Sequence, residues 1–270
     1  MTSCRLTILD SGIGGLSVVR EIRRLLPGAA LIYIADNAGF PYGGLDDATL
    51  IDRLERIVGA ALRETEPDLF VIACNTASTI ALAALRRKFS VPFVGVVPAV
   101  KWAGSVSRSG VVGLLGTPAT VRRDYVRDLI DRFAPHCEFV TLGSPNLAAM
   151  AEAKFRGETL NTDEIRTEIA PLFDAAASAK LDTVILACTH YGFLLPEFLA
   201  VAPEGITWLD PAEAVARRVR HLIGERGPSA SVAQSQSWNL AIFTSHMTNQ
   251  AELEAPFAAY GFSELRVTNF

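Results

Sequence analysis

A chain of 270 residues is long enough for one large domain or two modest domains, each with its own hydrophobic core. Half of the residues are hydrophobic and 20% are charged, which is ordinary for a folded globular protein and excludes long disorder or collagen-like repeats. The formal net charge of −4 argues against a nucleic-acid partner, because binding to a phosphate backbone requires clustered Lys and Arg.

Targeting and membrane signals are absent from the sequence. No apolar run approaches the roughly 18 residues that a spanning helix needs, and the first ten residues lack the pattern of a signal peptide. We therefore expect a cytoplasmic protein with no membrane partner. The four cysteines, at positions 4, 74, 137 and 188, are too scattered for a disulfide framework and form no CxxC pair, so we expect free thiols and no bound metal.

The first third of the chain alternates short β-branched runs with longer helical patterns, which is typical of βα units around a parallel sheet. Apolar residues at helical spacing from Leu16 to Leu25 predict a helix that ends before Pro27. The predicted strands in this part are Leu6–Leu9, Leu31–Ala35, Leu69–Ala73 and Phe93–Val97.

The same alternation begins again after Pro98. Thr117 followed by Pro118 predicts a helix start, and Asp210 with Glu213 predicts another helix, which runs to about Gly224. The predicted strands here are Val111–Leu115, Glu138–Thr141, Thr183–Ala187 and Ile206–Trp208.

The last part of the chain follows a low-complexity segment, residues 227–237, whose small polar residues predict a flexible connector. A strand at Leu240–Phe243 then opens a β-α-β-like piece that is too short to fold alone and should dock onto one of the domains. We expect a first domain of residues 1–97 plus 210–270, with this tail docked back, and a second domain of residues 98–209.

An internal duplication is visible around two of the cysteines. Asp68–Cys74 and Asp182–Cys188 both begin with Asp, continue as an apolar strand and end in Ala-Cys, after which come Asn-Thr and Thr-His respectively. The first strand with Asp10 likewise resembles the strand that precedes Thr117. The predicted fold is therefore two similar doubly wound, mostly parallel α/β domains related by a pseudo-twofold, with the active site in the cleft between them.

The two repeated cysteines predict a particular chemistry. In parallel α/β sheets, ligands bind beyond the carboxyl ends of the strands, and the start of the next helix there favours a thiolate. Inversion of a stereocentre needs a base on one face and an acid on the other, so Cys74 and Cys188 acting from opposite sides would suit it. A single buried cysteine is more often a small hydrophobic residue, which is our interpretation of Cys4 and Cys137.

Five motifs occur in order along the chain and together resemble the glutamate racemases of the cofactor-independent aspartate/glutamate racemase superfamily. They are Asp10-Ser-Gly-Ile-Gly-Gly15, Phe40-Pro-Tyr-Gly43, Ala73-Cys-Asn-Thr-Ala77, Gly116-Thr-Pro-Ala-Thr120 and Cys188-Thr-His-Tyr191. A later segment, Phe243-Thr-Ser245, is similar to a strand of the same family.

The resemblance implies an enzyme that interconverts L-glutamate and D-glutamate without pyridoxal phosphate or any other cofactor. It also implies a role in supplying D-glutamate for peptidoglycan in the bacterial cytoplasm, and a homodimer. The four lysines all lie outside the motifs, which is compatible with a reaction that forms no Schiff base.

The resemblance also assigns roles to individual residues. Cys74 would handle the proton of D-glutamate and Cys188 that of L-glutamate. Asp10 would assist Cys74, and His190 would support proton transfer at Cys188. The family has a glutamate near its second cysteine, for which Glu152 is the best candidate.

The substrate itself would be held by side chains of the same motifs. Because no motif contains Arg or Lys, the carboxylates of the substrate would bind hydroxyls, amides and backbone N–H groups at helix starts. Gly192-Phe193 departs from the family, which usually has proline there, and predicts a looser loop. The proposed substrate-binding residues are Asp10, Ser11, Pro41, Tyr42, Gly43, Asn75, Thr76, Thr117, Thr120, Thr189 and His190.

Several of these residues have ordinary structural explanations. Asn, Thr and Asp at helix starts and turns are common caps, and an aromatic residue in a glycine-rich loop often simply packs as a lid. Other functions also remain open: an aspartate racemase, a related decarboxylase or hydantoin racemase, or a two-lobed protein that binds an amino acid without reaction.

Overall fold

The computed structural model describes residues 4–174, 180–226, 239–246 and 251–270. The connector predicted at residues 227–237 lies outside these ranges. The described strands are β1 (Arg5–Asp10), β2 (Ala30–Ala35), β3 (Leu69–Ile72), β4 (Phe93–Gly95), β5 (Val111–Gly116), β6 (Glu138–Gly143), β7 (Thr183–Ala187), β8 (Thr207–Leu209), β9 (Leu240–Phe243) and β10 (Glu264–Val267).

Helices separate most of these strands. The described α-helices are α1 (Leu16–Leu25), α2 (Asp47–Thr65), α3 (Asn75–Lys88), α4 (Val100–Val106), α5 (Pro118–Val121), α6 (Asp124–Phe133), α7 (Leu147–Phe155), α8 (Thr162–Asp174), α9 (Leu195–Val201), α10 (Ala212–Arg226) and α11 (Ala251–Ala259). The described residues also include 3-10 helices at Asn37–Gly39, Tyr42–Gly44 and Thr189–Leu194.

The chain forms two compact units, one of residues 1–96 and 212–270 and the other of residues 97–211. The first unit contains a six-stranded sheet in the order β10-β9-β2-β1-β3-β4, and the second a four-stranded sheet in the order β6-β5-β7-β8. All of the pairings described between strands are parallel. The predicted class, two α/β domains with parallel sheets, is confirmed.

The strand orders reveal the duplication directly. The order β2-β1-β3-β4 in the first sheet is repeated as β6-β5-β7-β8 in the second, with each strand in the same place along its own unit. Cys74 follows β3 and Cys188 follows β7, so each thiol lies beyond the carboxyl end of the same strand of its repeat.

The repeated aspartates lie at the opposite ends of these two strands. A carboxylate oxygen of Asp68 accepts a hydrogen bond of 2.7 Å from the backbone N–H of Arg5, at the start of β1. In the second unit Asp182 accepts a bond of 2.9 Å from the N–H of Ser109, just before β5. Each aspartate thus fastens the cysteine-bearing strand to the central strand of its sheet, which is a structural role.

Both cores explain why these strands are almost continuously apolar. In the first unit, helices α2 and α3 pack on the sheet through residues such as Leu54 and Leu85, against Phe70 and Ile72 of β3. In the second, Leu114 and Ile185 lie in a cluster with Val126 of α6. Strands covered by helices in this way need apolar side chains at nearly every position.

Most of the predicted strands agree with the structure to within one or two residues at either end. The strand predicted to reach Val97 ends at Gly95, close to the start of the second unit. The helix predicted to end near Gly224 continues to Arg226. The β-α-β-like piece at the end of the chain is present as β9, α11 and β10, and β9 extends the first sheet by pairing with β2.

Candidate functional site

Cys74 of the first unit lies at the junction between β3 and α3. Its backbone is extended (φ −132°, ψ 126°), and the helix begins at the next residue. The side chain is 7% exposed. A thiol at this position meets the unpaired N–H groups of the first helical turn, whose partial positive charge favours a thiolate.

Asn75 and Thr76, the first two residues of α3, are both buried. Neither the amide oxygen nor the amide nitrogen of Asn75 has a hydrogen-bond partner among the described residues, although only 2% of the residue is exposed. Leaving such a group unpaired costs about 1–3 kcal/mol, so a buried amide that persists in this state is well suited to a polar ligand.

Asp10 ends the neighbouring central strand β1 and is fully buried, as is Ser11 after it at 4% exposure. One carboxylate oxygen of Asp10 accepts a 3.0 Å hydrogen bond from the N–H of Gly12. Gly15 makes this packing possible, because a Cβ there would lie 2.9 Å from the Cβ of Ala73 and 3.0 Å from that of Asp10. The glycine-rich turn therefore allows α1 to begin close to the ends of β1 and β3.

Tyr42 belongs to a 3-10 helix that begins after Pro41 and includes Gly43. Its side chain is buried, and its hydroxyl donates a 2.7 Å hydrogen bond to Asp36. Burial, the charge of Asp36 and that hydrogen bond raise the pKa of Tyr42 well above its usual value, and the charges of Cys74 and Asp10 raise it further. Tyr42 therefore stays protonated at neutral pH and keeps its hydroxyl as a hydrogen-bond donor to Asp36. Pro41 is exposed and Gly43 half-buried.

Asp36, the hydrogen-bond partner of Tyr42, was not identified from the sequence. It follows β2 and is fully buried, where it accepts bonds of 2.5 and 2.6 Å from the guanidinium of Arg53 and one of 2.6 Å from the hydroxyl of Thr244. It thus ties the Tyr42 helix to α2 and to the end of β9. An acid directly after a buried strand was the available signal, the same signal that drew attention to Asp10.

In the second unit, Cys188 lies after β7 and directly before the 3-10 helix Thr189–Leu194. Its backbone is extended and its side chain is 7% exposed, as for Cys74. The sulfur lies 3.9 Å from Nδ1 of His190. The other ring nitrogen of His190, Nε2, lies 2.9 Å from a carboxylate oxygen of Glu152 on α7. Cys188, His190 and Glu152 therefore form a continuous chain of polar contacts.

The direction of the Glu152 contact fixes the protons on His190. A carboxylate only accepts hydrogen bonds, so Nε2 must carry a proton, and in the neutral ring Nδ1 is then the acceptor that faces Cys188. His190 is 2% exposed and Glu152 13%. His190 can accept a proton from the thiol, because the imidazolium that forms lies next to the carboxylate of Glu152. It can then return that proton to the sulfur.

Tyr191 anchors the segment that carries His190. Its buried hydroxyl lies 3.0 Å from the carbonyl oxygen of Gly116 at the end of β5 and 3.2 Å from that of Ser144. Burial, followed by the charge of Cys188, raises the pKa of Tyr191 well above its usual value. The tyrosine therefore remains a donor that connects the Cys188 segment to the central strand.

The remaining hydroxyls predicted to bind substrate lie at helix starts. The side chain of Thr117 accepts a hydrogen bond of 3.2 Å from the N–H of Thr120 and caps α5, so the structural explanation applies to it. Thr120 is fully buried, and its hydroxyl oxygen lies 3.0 Å from that of Thr117. Thr189, next to Cys188 in the chain, is 3% exposed. Capping and substrate binding are compatible, because a hydroxyl has two acceptor sites and one donor.

The start of α7, the helix that carries Glu152, is held by residues the sequence did not reveal. The hydroxyl of Ser144 accepts from the N–H of Leu147 at 3.1 Å and donates to Glu168 of α8 at 2.5 Å. The side-chain amide of Asn146 donates to the same carboxylate at 2.6 Å. These residues fasten one end of α7 to α8.

Cys4 and Cys137 have different surroundings. Burial and the charge of Asp68 raise the pKa of Cys4 to about 11, and burial, followed by the charge of Asp182, raises the pKa of Cys137. Both thiols therefore remain protonated at neutral pH. Among the described ranges, no cluster of His, Cys, Asp and Glu has the makings of a metal site, and no helix combines the length and apolar character needed to cross a membrane.

Each sheet therefore presents one buried thiol beyond the carboxyl end of the corresponding strand. The thiol of the first unit has a buried carboxylate on the adjacent strand, and that of the second has a histidine backed by a glutamate. Such sites can carry acid–base chemistry. The family model for Asp/Glu/Hydantoin racemase matches residues 14–219, and the chain belongs to this family.

Within this family, the chain is similar to individual glutamate racemases. The glutamate racemase of Sinorhizobium medicae is 51% identical over 217 residues, which cover 80% of each chain, and that of Granulibacter bethesdensis is 42% identical over 97% of this chain and 96% of its own. The crystal structure of Escherichia coli glutamate racemase with L-glutamate and the activator UDP-MurNAc-Ala superimposes with a TM-score of 0.91, at 40% identity and 98% coverage of both chains. The protein is an amino-acid racemase, an isomerase of the class that works without pyridoxal phosphate.

Proposed function

We propose that this racemase interconverts L-glutamate and D-glutamate, with Cys74 and Cys188 acting on opposite faces of the same α-carbon. One thiolate removes the α-proton, so that the C–H bond breaks and an S–H bond forms. The other thiol then delivers its proton to the opposite face. The enzyme finishes with the protonation of its two thiols exchanged, and the next turnover in the reverse direction restores it.

The observation that supports this proposal most strongly is the equivalent placement of the two cysteines. Each lies beyond the end of the same strand in a repeated four-strand order, extended, buried and directly before a helix. In both units the cysteine also comes directly before polar residues at a helix start, where a thiolate is favoured. Two equivalent thiols are the arrangement that a reaction with two mirror-related proton transfers requires.

The surrounding residues support distinct roles. Asp10 assists Cys74 from the adjacent strand, and His190 with Glu152 takes up and returns a proton at Cys188. We assign Cys188 to the proton of L-glutamate and Cys74 to that of D-glutamate. The substrate carboxylates bind Asn75 and the neighbouring helix N–H groups, with Ser11, Thr76, Thr120 and Thr189 as hydroxyl partners.

The preference for glutamate is supported by the relatives, whose names and bound substrate agree. Aspartate is shorter by one methylene, a difference worth about 1–3 kcal/mol in a fitted pocket. Circular dichroism of L-glutamate, L-aspartate and 5-substituted L-hydantoins with the purified protein and no added cofactor tests this preference. Loss of optical activity only with L-glutamate is expected, and faster loss with either of the others would contradict the assignment.

Single substitutions of the cysteines test the mechanism. Cys74→Ser and Cys188→Ser should each lower the racemisation rate by about 100-fold or more, because each substitution removes one general acid–base group from the reaction. Cys137→Ser is the matched control and should leave the rate unchanged. Near-normal turnover by either of the first two variants would overturn the two-thiol mechanism.

We further propose that the product D-glutamate enters peptidoglycan synthesis in the cytoplasm and that the working enzyme is a homodimer. Expression of the chain should relieve the requirement of a D-glutamate-auxotrophic bacterium, and expression of Cys188→Ser should not. Sedimentation analysis should give twice the mass of one chain. Failure of the chain to rescue growth would contradict the first expectation, and a monomer under conditions of full activity would contradict the second.

A further inference from the structure

Glu152 and His190 lie on two short helical segments of the second unit. Glu152 belongs to α7, nine residues long, and His190 to the 3-10 helix Thr189–Leu194. The helix rise is about 1.5 Å per residue, so a slip of one residue between these segments would break the 2.9 Å contact between Nε2 and the carboxylate. Something must hold the two segments in register.

A second contact between the same segments repeats the spacing of the first. Phe155 and Phe193 meet edge to face, with ring centroids 5.7 Å apart and an interplanar angle of 87°. Phe155 is three residues after Glu152 on α7, and Phe193 is three residues after His190 on the 3-10 helix. Residues at this spacing share one side of either helix type. The two segments therefore match at two points, one polar and one aromatic.

Lys154 adds a third connection, which reaches beyond these two segments. Its ammonium donates a 2.9 Å hydrogen bond to the carbonyl oxygen of Phe193 and lies 2.6 and 2.7 Å from the two carboxylate oxygens of Glu197, in the first turn of α9. The lysine side chain is 32% exposed and that of the glutamate 21%. An ion pair this far buried, with a carbonyl as an additional acceptor, holds its geometry better than a solvated pair.

Gly192, the residue before Phe193, allows the 3-10 helix to pack closely against Asp210. Gly192 has no side chain, and a Cβ there would lie 2.7 Å from a carboxylate oxygen of Asp210. The expected looser loop is instead a 3-10 helix whose residues Thr189, His190, Tyr191 and Leu194 are buried. The contacts of Lys154 and Phe155 with Phe193 lie at the far end of this segment.

We propose that Lys154 and Phe193 are positioning residues for proton transfer at Cys188, because they hold Glu152 in register with His190. This inference rests on the proposed two-thiol function. Among the contacts described for Lys154 and Phe193, none is with the thiol of Cys188. The two residues act through the Glu152–His190 contact, so their loss should slow the Cys188 step and leave the Cys74 step unchanged.

Isotope effects can distinguish this role from a general loosening of the fold. L- and D-glutamate have equal free energies, so any variant must lower kcat/KM equally in the two directions, and rates alone do not show which thiol is slowed. If the Cys188 step becomes limiting, substrate deuterated at Cα should show a larger isotope effect when it is L-glutamate, because Cys188 then breaks the C–D bond. With D-glutamate the isotope effect should not increase, because Cys74 breaks that bond.

The experiment compares Lys154→Met with Lys101→Met, an exposed lysine on α4 of the same unit. Lys154→Met should lower kcat about ten-fold with less than a two-fold change in KM, and raise the Cα isotope effect for L-glutamate only. Lys154→Arg, which keeps the charge and the donors, should recover most of the lost rate. Lys101→Met should match the unmodified enzyme.

Two results would overturn the inference: equal isotope effects in the two directions, or a Lys154→Met enzyme as fast as Lys101→Met. Should Lys154→Met fail to fold, Glu197→Gln and Phe193→Leu supply the same test and must show the same asymmetry. Cys188→Ser distinguishes a failure of the positioning role from a failure of the two-thiol function. If it too lacks the asymmetry, the two-thiol function fails; if it alone shows the asymmetry, only the positioning role fails.

Discussion

At the scale of a single residue, Asn75 is a buried polar side chain that costs the fold stability. Its amide is buried with both polar atoms unpaired, directly after Cys74. Nearby Ser78, on the same helix, is also buried but fully used: its hydroxyl donates to the carbonyl of Ile72 and accepts from the N–H of Val96, each at 3.0 Å. Two buried polar side chains of one helix therefore have opposite energetic roles.

Asn75→Ala should raise KM for glutamate about ten-fold or more, while the free energy of unfolding stays the same or rises by up to about 1 kcal/mol, because an unpaired buried amide is removed. Ser78→Ala should do the reverse, with a loss of about 1–2 kcal/mol of stability and little change in KM. Urea denaturation and steady-state kinetics measure both. A destabilised Asn75→Ala enzyme with normal KM would show that the amide is structural.

Asp36 is a second buried polar residue, and its ion pair with Arg53 should affect the free energy of unfolding. The guanidinium of Arg53 is the only cation among its hydrogen-bond partners described here, and the carboxylate is fully buried. Removal of one partner from a buried ion pair leaves an uncompensated charge, which typically costs about 3–5 kcal/mol.

Arg53→Met should therefore lower the free energy of unfolding by about 3 kcal/mol, near the lower end of that range because the arginine side chain is 22% exposed. Arg56→Met, an exposed arginine on the same helix, should change it by no more than about 0.5 kcal/mol. Equal effects of the two substitutions in urea denaturation would contradict the role given to Asp36.

At the scale of elements, the sequence predicts the strands well because each is a short apolar run with a polar end. That pattern also located Asp10, Cys74 and Cys188, which all lie directly at strand ends. It could not reveal the contact of Asp36 with Arg53, nor confirm that Glu152 reaches His190. Those contacts join elements far apart in the chain, and their geometry depends on how helices pack on the sheets rather than on local spacing.

Asp182 gives a prediction for the β7 element that depends on pH. Burial acts to raise its pKa, but hydrogen bonds from Ser107, Ser109, Thr183 and Arg108 to the carboxylate outweigh burial and lower the pKa to about 2. A carboxylate with a depressed pKa stabilises the fold above its unfolded pKa of about 3.9, and this stabilisation is lost as the pH falls toward 2.

Asp182→Asn should thus destabilise the protein at pH 7 by about 1 kcal/mol, a modest amount because the group is near solvent. The difference from the unmodified protein should shrink as the pH falls below about 4. Asp128→Asn, at an exposed position on α6, serves as the control. Urea denaturation across the pH range in which the protein remains folded measures the effect, and a difference that grows on acidification would have the wrong sign.

At the scale of the whole molecule, the repeated strand order β2-β1-β3-β4 and β6-β5-β7-β8 gives both units the same place for a thiol. The units have since diverged around it. One cysteine has a carboxylate from the central strand as its neighbour, and the other has a histidine and a glutamate from a helix. The two sulfur atoms therefore occupy equivalent positions, while the polar groups near them differ.

The proposed mechanism requires two different groups to exchange protons with one carbon. The direct measurement is proton NMR of L-glutamate with the enzyme in deuterated water, stopped at low conversion. With two thiols, the D-glutamate formed should carry solvent deuterium at Cα while the remaining L-glutamate keeps its proton. The original proton in the product would mean that one group serves both faces of the carbon and would contradict the two-thiol mechanism.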